Sequence, residues 1–197
     1  MSDPAAPGRL QLSCRPGKAG AMLVFAYTVE NPGPGDLYVM DATPSIDPAT
    51  RQPKADDQAA VVMLGPGDDA IIGKFIAPLP ATRRVAMPVI PLAVRLLPGA
   101  MLDRRLEVPL PLAEISPYFA DLPLRRYQPV DIKGVRFTIG YWDANAEGVA
   151  AAPAAFAPGL VAVVTRAPMR AATCTQRFPT TGLQLFKRTD DFPRLAE

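Results

Sequence analysis

The chain contains no histidine among its 197 residues. That absence removes the usual general base and the commonest metal ligand together. Ser-His-Asp and Cys-His nucleophilic arrangements and every histidine-bearing zinc site are excluded with it. Cysteine is scarce as well: Cys14 and Cys174 stand near opposite ends of the chain. Neither belongs to a Cys-x-x-Cys motif, and two are too few for an all-cysteine zinc site. They could pair if the first and last strands were neighbours, but in a reducing compartment the expectation is two buried, inert thiols. Charge of one sign is also lacking, since 21 basic residues stand against 19 acidic ones for a net +2. The two signs are interspersed, so no electrostatic footprint for nucleic acid or an anionic membrane is expected. No apolar run is long enough to span a bilayer. Residues 1–9 have neither the basic nor the apolar part of a secretory signal, and a cytoplasmic location is the expectation. The Pro-Gly segments at Gly33–Gly35 and Gly65–Gly67 are not followed by the Lys-Ser/Thr of a phosphate loop, and no cofactor is expected.

Proline, in contrast, is abundant: 24 residues spread from Pro4 to Pro193. Each fixes φ and removes a backbone donor, so the chain is cut into short extended pieces with little room for long helices. With 49% hydrophobic residues distributed throughout, it can bury one substantial core. The reading is a single domain over residues 1–197, with loosely ordered ends at about 1–8 and 188–197. Most basic residues are arginine and alanine is plentiful. GC-rich codon usage accounts for both, and is preferred to an arginine-rich recognition surface.

Strands are expected at residues 10–14, 21–30 and 37–41, the last as the hairpin partner of the second across the Pro-Gly turn. Residues 42–57 read as a long exposed loop. Residues 59–64 and 70–76 form the next hairpin across Gly65-Pro-Gly67. A second Pro-Gly device at Pro98-Gly99 separates two related stretches led by Arg83-Arg84 and Arg104-Arg105. Both read as Pro-bearing strands near sheet edges. Two successive arginines on a strand face opposite ways, so one of each pair points inward and needs a carboxylate, with Asp103 and Glu107 nearest in sequence. Residues 113–123 hold at most a helical turn. Residues 135–142 alternate with Val135, Phe137, Ile139 and Tyr141 on one face, as Leu23, Phe25, Tyr27 and Val29 do earlier. Residues 143–157 are the best candidate for a short helix, and 159–165, 170–177 and 182–186 supply the final strands.

So many short strands with Pro/Gly turns and no βα alternation predict an all-β fold. The strand ending in an Asn turn (Tyr27-Thr-Val-Glu-Asn31), the following strand and the later Pro-Gly turns (Leu64-Gly-Pro-Gly67, Leu96-Leu-Pro-Gly99) resemble bacterial immunoglobulin-like β-sandwiches, including those of the intracellular proteinase-inhibitor type. That resemblance implies an antiparallel immunoglobulin-like sandwich with long loops; it covers about the first half to two-thirds of the chain and carries no function.

Two constellations remain. Aspartates 41, 47, 56 and 57, or 68 and 69, could offer oxygens to a hard cation, although no EF-hand spacing is present and solvated loop carboxylates are the preferred reading. Tyr118, Phe119, Arg125, Arg126, Tyr141 and Trp142 combine the residue types of a protein-binding hot spot. Against that, Phe119, Phe137 and Tyr141 would fill a core and Trp142 would cover its end. The sequence points first to a non-enzymatic protein-interaction module, pairing with a protein partner or with itself. The alternative is a binder of a small apolar ligand between sheets. A carboxylate-based enzyme comes third, and it would need two acidic side chains converging in a cleft.

Overall fold

The computed structural model describes residues 10–80, 84–120, 123–165 and 171–189. The chain is all-β. Its first half forms β1 (Gln11–Ala19), β2 (Met22–Glu30), β3 (Leu37–Ile46), β4 (Pro53–Asp56), β5 (Val61–Leu64), β6 (Asp69–Lys74) and β7 (Leu92–Leu96). Next come β8 (Met101–Pro109), β9 (Leu112–Ala113), β10 (Tyr127–Asp131) and β11 (Gly134–Asp143). The last four strands are β12 (Val149–Pro153), β13 (Val161–Thr165), β14 (Ala172–Pro179) and β15 (Gln184–Arg188). Only Pro66–Asp68 and Leu124–Arg126 are helical among the described residues, each a single 3₁₀ turn. Residues 143–157, expected as a helix, instead hold β12 between two turns. Val149, Ala150, Ala151, Ala152 and Pro153 pair residue by residue with β13, and tertiary pairing overrides alanine's helical preference.

The strands make three sheets. One is β1-β2-β8, wholly antiparallel. The second follows the order β12-β13-β7-β3-β11-β6-β5, with β14 joined to β11 and β4 to β3. A small third sheet, β10-β15-β9, is tied to β5 by a bridge between Val62 and Ile115 and by buried Glu114. The Glu114 carboxylate accepts from the backbone N–H groups of Leu64 and Arg188. The main core lies between the first and second sheets. Phe25, Tyr27 and Val29 of β2 and Leu106 and Val108 of β8 face Ile72 of β6 and Phe137, Ile139 and Tyr141 of β11. Phe25 and Phe137 stack at its centre, 4.7 Å between ring centroids. Both alternations read from the sequence are therefore the core faces, because period 2 puts every second side chain on the same side.

Strand partners depart from the local expectation. β3 is not the hairpin partner of β2; it crosses to the other sheet and pairs with β7, β11 and β4. The expected loop at 42–57 is largely strand, since β3 runs on to Ile46 and turns back through β4. Likewise β7 and β8 do not pair, and the Pro98-Gly99 turn carries the chain between sheets. Asn31 holds this crossing together. It is fully buried, its side-chain amide donates to the carbonyls of Gly35 and Leu96, and its Oδ1 accepts from Gly33. Its own backbone pairs with Gly99 and Ala100, so one residue ties both Pro-Gly turns. Of the expected loose ends, 1–8 and 190–197 lie outside the described residues. Residues 188 and 189 do not, and Arg188 is buried, with its backbone N–H bonded to Glu114.

Side chains engage both open edges of the three-stranded sheet. Along β1 the Cys14 N–H donates to Gln176 Oε1 at 2.8 Å, and Pro16 has no donor to offer. Along β8 the Gln58 amide acts as a peptide group would. Its Nε2 donates to Arg105 O at 3.3 Å and its Oε1 accepts from Glu107 N at 3.2 Å. Arg104 Nη1 donates to Asp103 O, and Pro109 ends the strand. Such capping blunts edges that would otherwise recruit another strand.

Candidate functional site

A cleft of about 510 Å³ opens where the β3–β4 hairpin leaves the large sheet and faces the edge of β8. It forms because β3 has a register shift between Met40 and Ala42, beyond which the strand pairs with β4. Gln58, bonded to β8 as described, holds the β4–β5 connection against the opposite wall. The apolar lining includes Val61, Phe75, Val89, Val108 and Ile115. Val89 is held by its N–H, which donates to the Tyr118 hydroxyl at 3.0 Å.

The polar side chains of the lining are Thr43, Ser45, Asp56, Gln58, Glu107 and Ser116. Ser45 lines the cleft, and its Oγ is shielded from solvent without a hydrogen-bond partner. Asp56 and Glu107 also line it. Asp56 Oδ1 accepts from the N–H groups of Gln58 and Ala59. Glu107 Oε1 accepts from Arg105 Nε at 2.7 Å. Two carboxylates thus meet in one cleft, but each already accepts hydrogen bonds from the protein. That suits a fixed charge that orients a ligand better than a group that shuttles protons.

The six hot-spot candidates do not form one surface. Tyr141 is in the main core, and Trp142, on the opposite face of β11, is 4% exposed against Met40, Ala93 and Val163. Phe119 is buried in a separate cluster with Met63 and Ile71, beneath the Arg188 guanidinium, and Tyr118 is half-buried beside it. Arg125 and Arg126 are exposed on the 3₁₀ turn before β10. The aromatic residues therefore do the filling and covering weighed against the hot spot, because alternation along β11 leaves each ring one buried side to occupy.

Both arginines of the Arg104-Arg105 pair meet carboxylates, although only one as expected. Arg105 pairs with Glu107, whereas Arg104 turns to Asp41 of β3, with Nε 3.0 Å from Oδ1 and Nη2 3.0 Å from Oδ2. Asp41 also receives Lys74 of β6 at 3.3 Å, so one carboxylate joins both facing sheets. Lys74 is held below its ordinary pKa by burial, with Asp41 acting in the opposite sense. Arg83 lies outside the described residues, and Arg84 is exposed.

Three of the other candidate aspartates are engaged by the protein itself. Asp47 accepts from Ala49 and Thr50 in its own turn, and Asp68 pairs with Lys133. Asp69 is buried and takes Arg177 Nε at 2.7 Å, Arg177 Nη2 at 2.9 Å and Arg136 Nε at 2.7 Å. Among the described residues no three acidic or thiol side chains converge as a metal site would require. Cys14 and Cys174 are free thiols, and burial pushes the Cys14 thiol up to about 12, which removes thiolate reactivity near neutral pH.

Asp69 sets an acid limit on stability. Hydrogen bonding from Arg177, then from Arg136, outweighs desolvation and lowers its pKa below the ordinary 3.8. A depressed folded value stabilises above the unfolded value and is lost as pH falls through the folded one. The D69N variant should lose about 1 kcal/mol at pH 7, a modest figure because both arginines are partly exposed. Its urea midpoint should fall less steeply below pH 4 than that of the wild type. Parallel slopes for the two proteins would show that Asp69 is not the titrating group.

No family model, curated protein or solved structure matches this chain.

Proposed function

We propose that this chain is a non-enzymatic binding protein that holds a small, mainly apolar ligand in the cleft between β8 and the β3–β4 hairpin. The observation that carries this reading is the cleft itself. Its volume, about 510 Å³, is in the range of small-molecule sites, and hydrophobic side chains with a few placed polar groups line it. Binding rather than catalysis is favoured because the chain has no histidine and the cleft carboxylates are already engaged. The one strongly buried amine, Lys74, is not part of the lining. The architecture kept with this reading is an immunoglobulin-like sandwich, supported by the face-to-face packing of β2 and β8 on β6 and β11.

A second reading, association with a protein partner or a second copy, has one observation in its favour. Leu97 and Met101, at the two ends of the Pro98-Gly99 turn, are 53% and 67% exposed. They offer apolar surface to such contact beside the engaged edges of β1 and β8.

Native mass spectrometry of the protein purified from its own host separates the two readings. The cleft reading predicts a small-molecule adduct that is absent from an Ala59→Trp variant, in which the new indole fills the cleft from a half-buried loop position. An adduct retained by that variant, or a bare mass in the wild type beside a stable protein complex, would replace the cleft reading with the second one.

A further inference from the structure

We propose a second ligand site beyond the cleft: a groove on the outer face of the large sheet that takes a monocarboxylate with a short hydrocarbon body. The groove, of about 390 Å³, lies over β11 and β14. Alternation puts Arg136, Thr138 and Gly140 of β11 on the face opposite the main core, and the register sets Thr175 and Thr173 of β14 beside Thr138 and Gly140. Gly140 and these short threonines keep the middle of the face low. Met40 of β3, Ile71 of β6, and Phe75 and Ile76 just after it supply apolar surface. Of the described residues only Phe75 also lines the cleft, so the two spaces are distinct.

The charge of the groove decides the class. Arg136, Thr138, Thr173 and Thr175 are its polar side chains among the described residues, and no carboxylate is among them. Arg136 stands directly opposite Arg177 across β11 and β14, and Asp69 is the carboxylate that joins them. Arg177 takes both Asp69 oxygens, while Arg136 reaches Oδ2 through Nε alone. Two guanidinium groups on one carboxylate leave a net positive charge, and Nη1 and Nη2 of Arg136 donate to no described protein group. The Arg136 side chain is 38% exposed, so these donors are within reach of an occupant. The Thr138 and Thr175 hydroxyls lie 3.0 Å apart, and whichever of them accepts keeps its own proton to donate outward. A carboxylate, which offers acceptors only, meets both kinds of donor. An ammonium head would face the positive charge with no acceptor of opposite sign in the described lining.

Hexanoate, 1-hexanol and hexylamine, titrated at pH 7 into the ¹⁵N-labelled full chain, test this class through the amides of Thr138, Gly140, Thr173 and Thr175. Read there, hexanoate should bind about tenfold more tightly than 1-hexanol, as charge-assisted hydrogen bonding implies, with hexylamine weakest. Arg136→Gln should bring hexanoate down to the level of 1-hexanol, with Arg177 still holding Asp69. Thr173→Trp, at an exposed position that lines the groove, should abolish the shifts from every probe. Equal affinity for hexanoate and 1-hexanol at these amides would overturn the carboxylate assignment. A hexanoate preference that survives Arg136→Gln would overturn Arg136 as its receiver. Groove amides that stay still with every probe, or shifts unchanged in Thr173→Trp, would overturn the groove as a site. The amides of Ser45 and Val108 report separately on the cleft, so the failure of one site is distinguished from that of the other.

Discussion

Asp41→Ala is expected to destabilise the fold by about 3–5 kcal/mol, because it strands a buried ammonium without a counter-charge. Lys74 has a side-chain exposure of 3% and Asp41 one of 6%, so water cannot replace the lost carboxylate without opening the core. Arg104 would lose its link from β8 to β3 at the same time. The informative control is Lys74→Met, which removes the buried charge and leaves Asp41 paired with Arg104. It should change stability by less than about 1 kcal/mol or raise it, since burial already disfavours the charged lysine. Combined, Lys74→Met should recover a large part of the Asp41→Ala loss, and urea denaturation of the four proteins measures the coupling. Equal losses in both single variants would mean that the lysine is a net stabiliser and that this account of the cluster is wrong.

Gly73→Ala is the second large effect, about 3 kcal/mol or more, from overpacking against a backbone that cannot yield. Gly73 has a φ of 156°, and a Cβ placed there would lie 1.8 Å from the Thr138 carbonyl oxygen. The cause is topological. β6 and β11 run parallel with Gly73 opposite Thr138, and just beyond, β11 exchanges β6 for β3 as its neighbour at Tyr141. Gly140 is squeezed at the same crossing, against Met40 and Phe75. Thermal unfolding of Gly73→Ala should show a clearly lower midpoint, or the variant should fail to accumulate folded. A midpoint within a few degrees of the wild type would show that the crossing is looser than described.

What the sequence disclosed follows a physical divide. Period-2 alternation is local, so the core faces of β2 and β11 could be read directly, and the Pro-Gly turns marked where strands end. Which strands pair is decided by contacts far apart in the chain, and here the local guess failed. Residues 37–41 follow residues 21–30 across a turn, yet Asn31 redirects the chain into the other sheet. Nor does the Asp-rich stretch 42–57 announce a strand. Its pairing depends on the bulge at Met40–Ala42, which no composition records. The aromatic residues misled for a related reason: Tyr141 and Trp142 are adjacent in sequence but face opposite layers.

The cleft was the least legible feature. Asp56 and Glu107 were noticed, one as a candidate cation ligand and the other as an arginine partner, but nothing local brings them into one wall. Ser45 carried no signal at all. Only the pairing of β3 with β4 and the amide bridge from Gln58 to β8 set these groups around a shared space.

The central claim is that this space is a binding site. Titration of the ¹⁵N-labelled chain with 1-hexanol, followed by amide chemical shifts, tests it most directly. The account predicts saturable shifts concentrated at Ser45, Asp56, Gln58, Val61, Val108 and Ile115, with Trp142 and the Leu97–Met101 turn unmoved. Shifts that fall on the turn or scatter without saturating, while the cleft amides stay still, would contradict it.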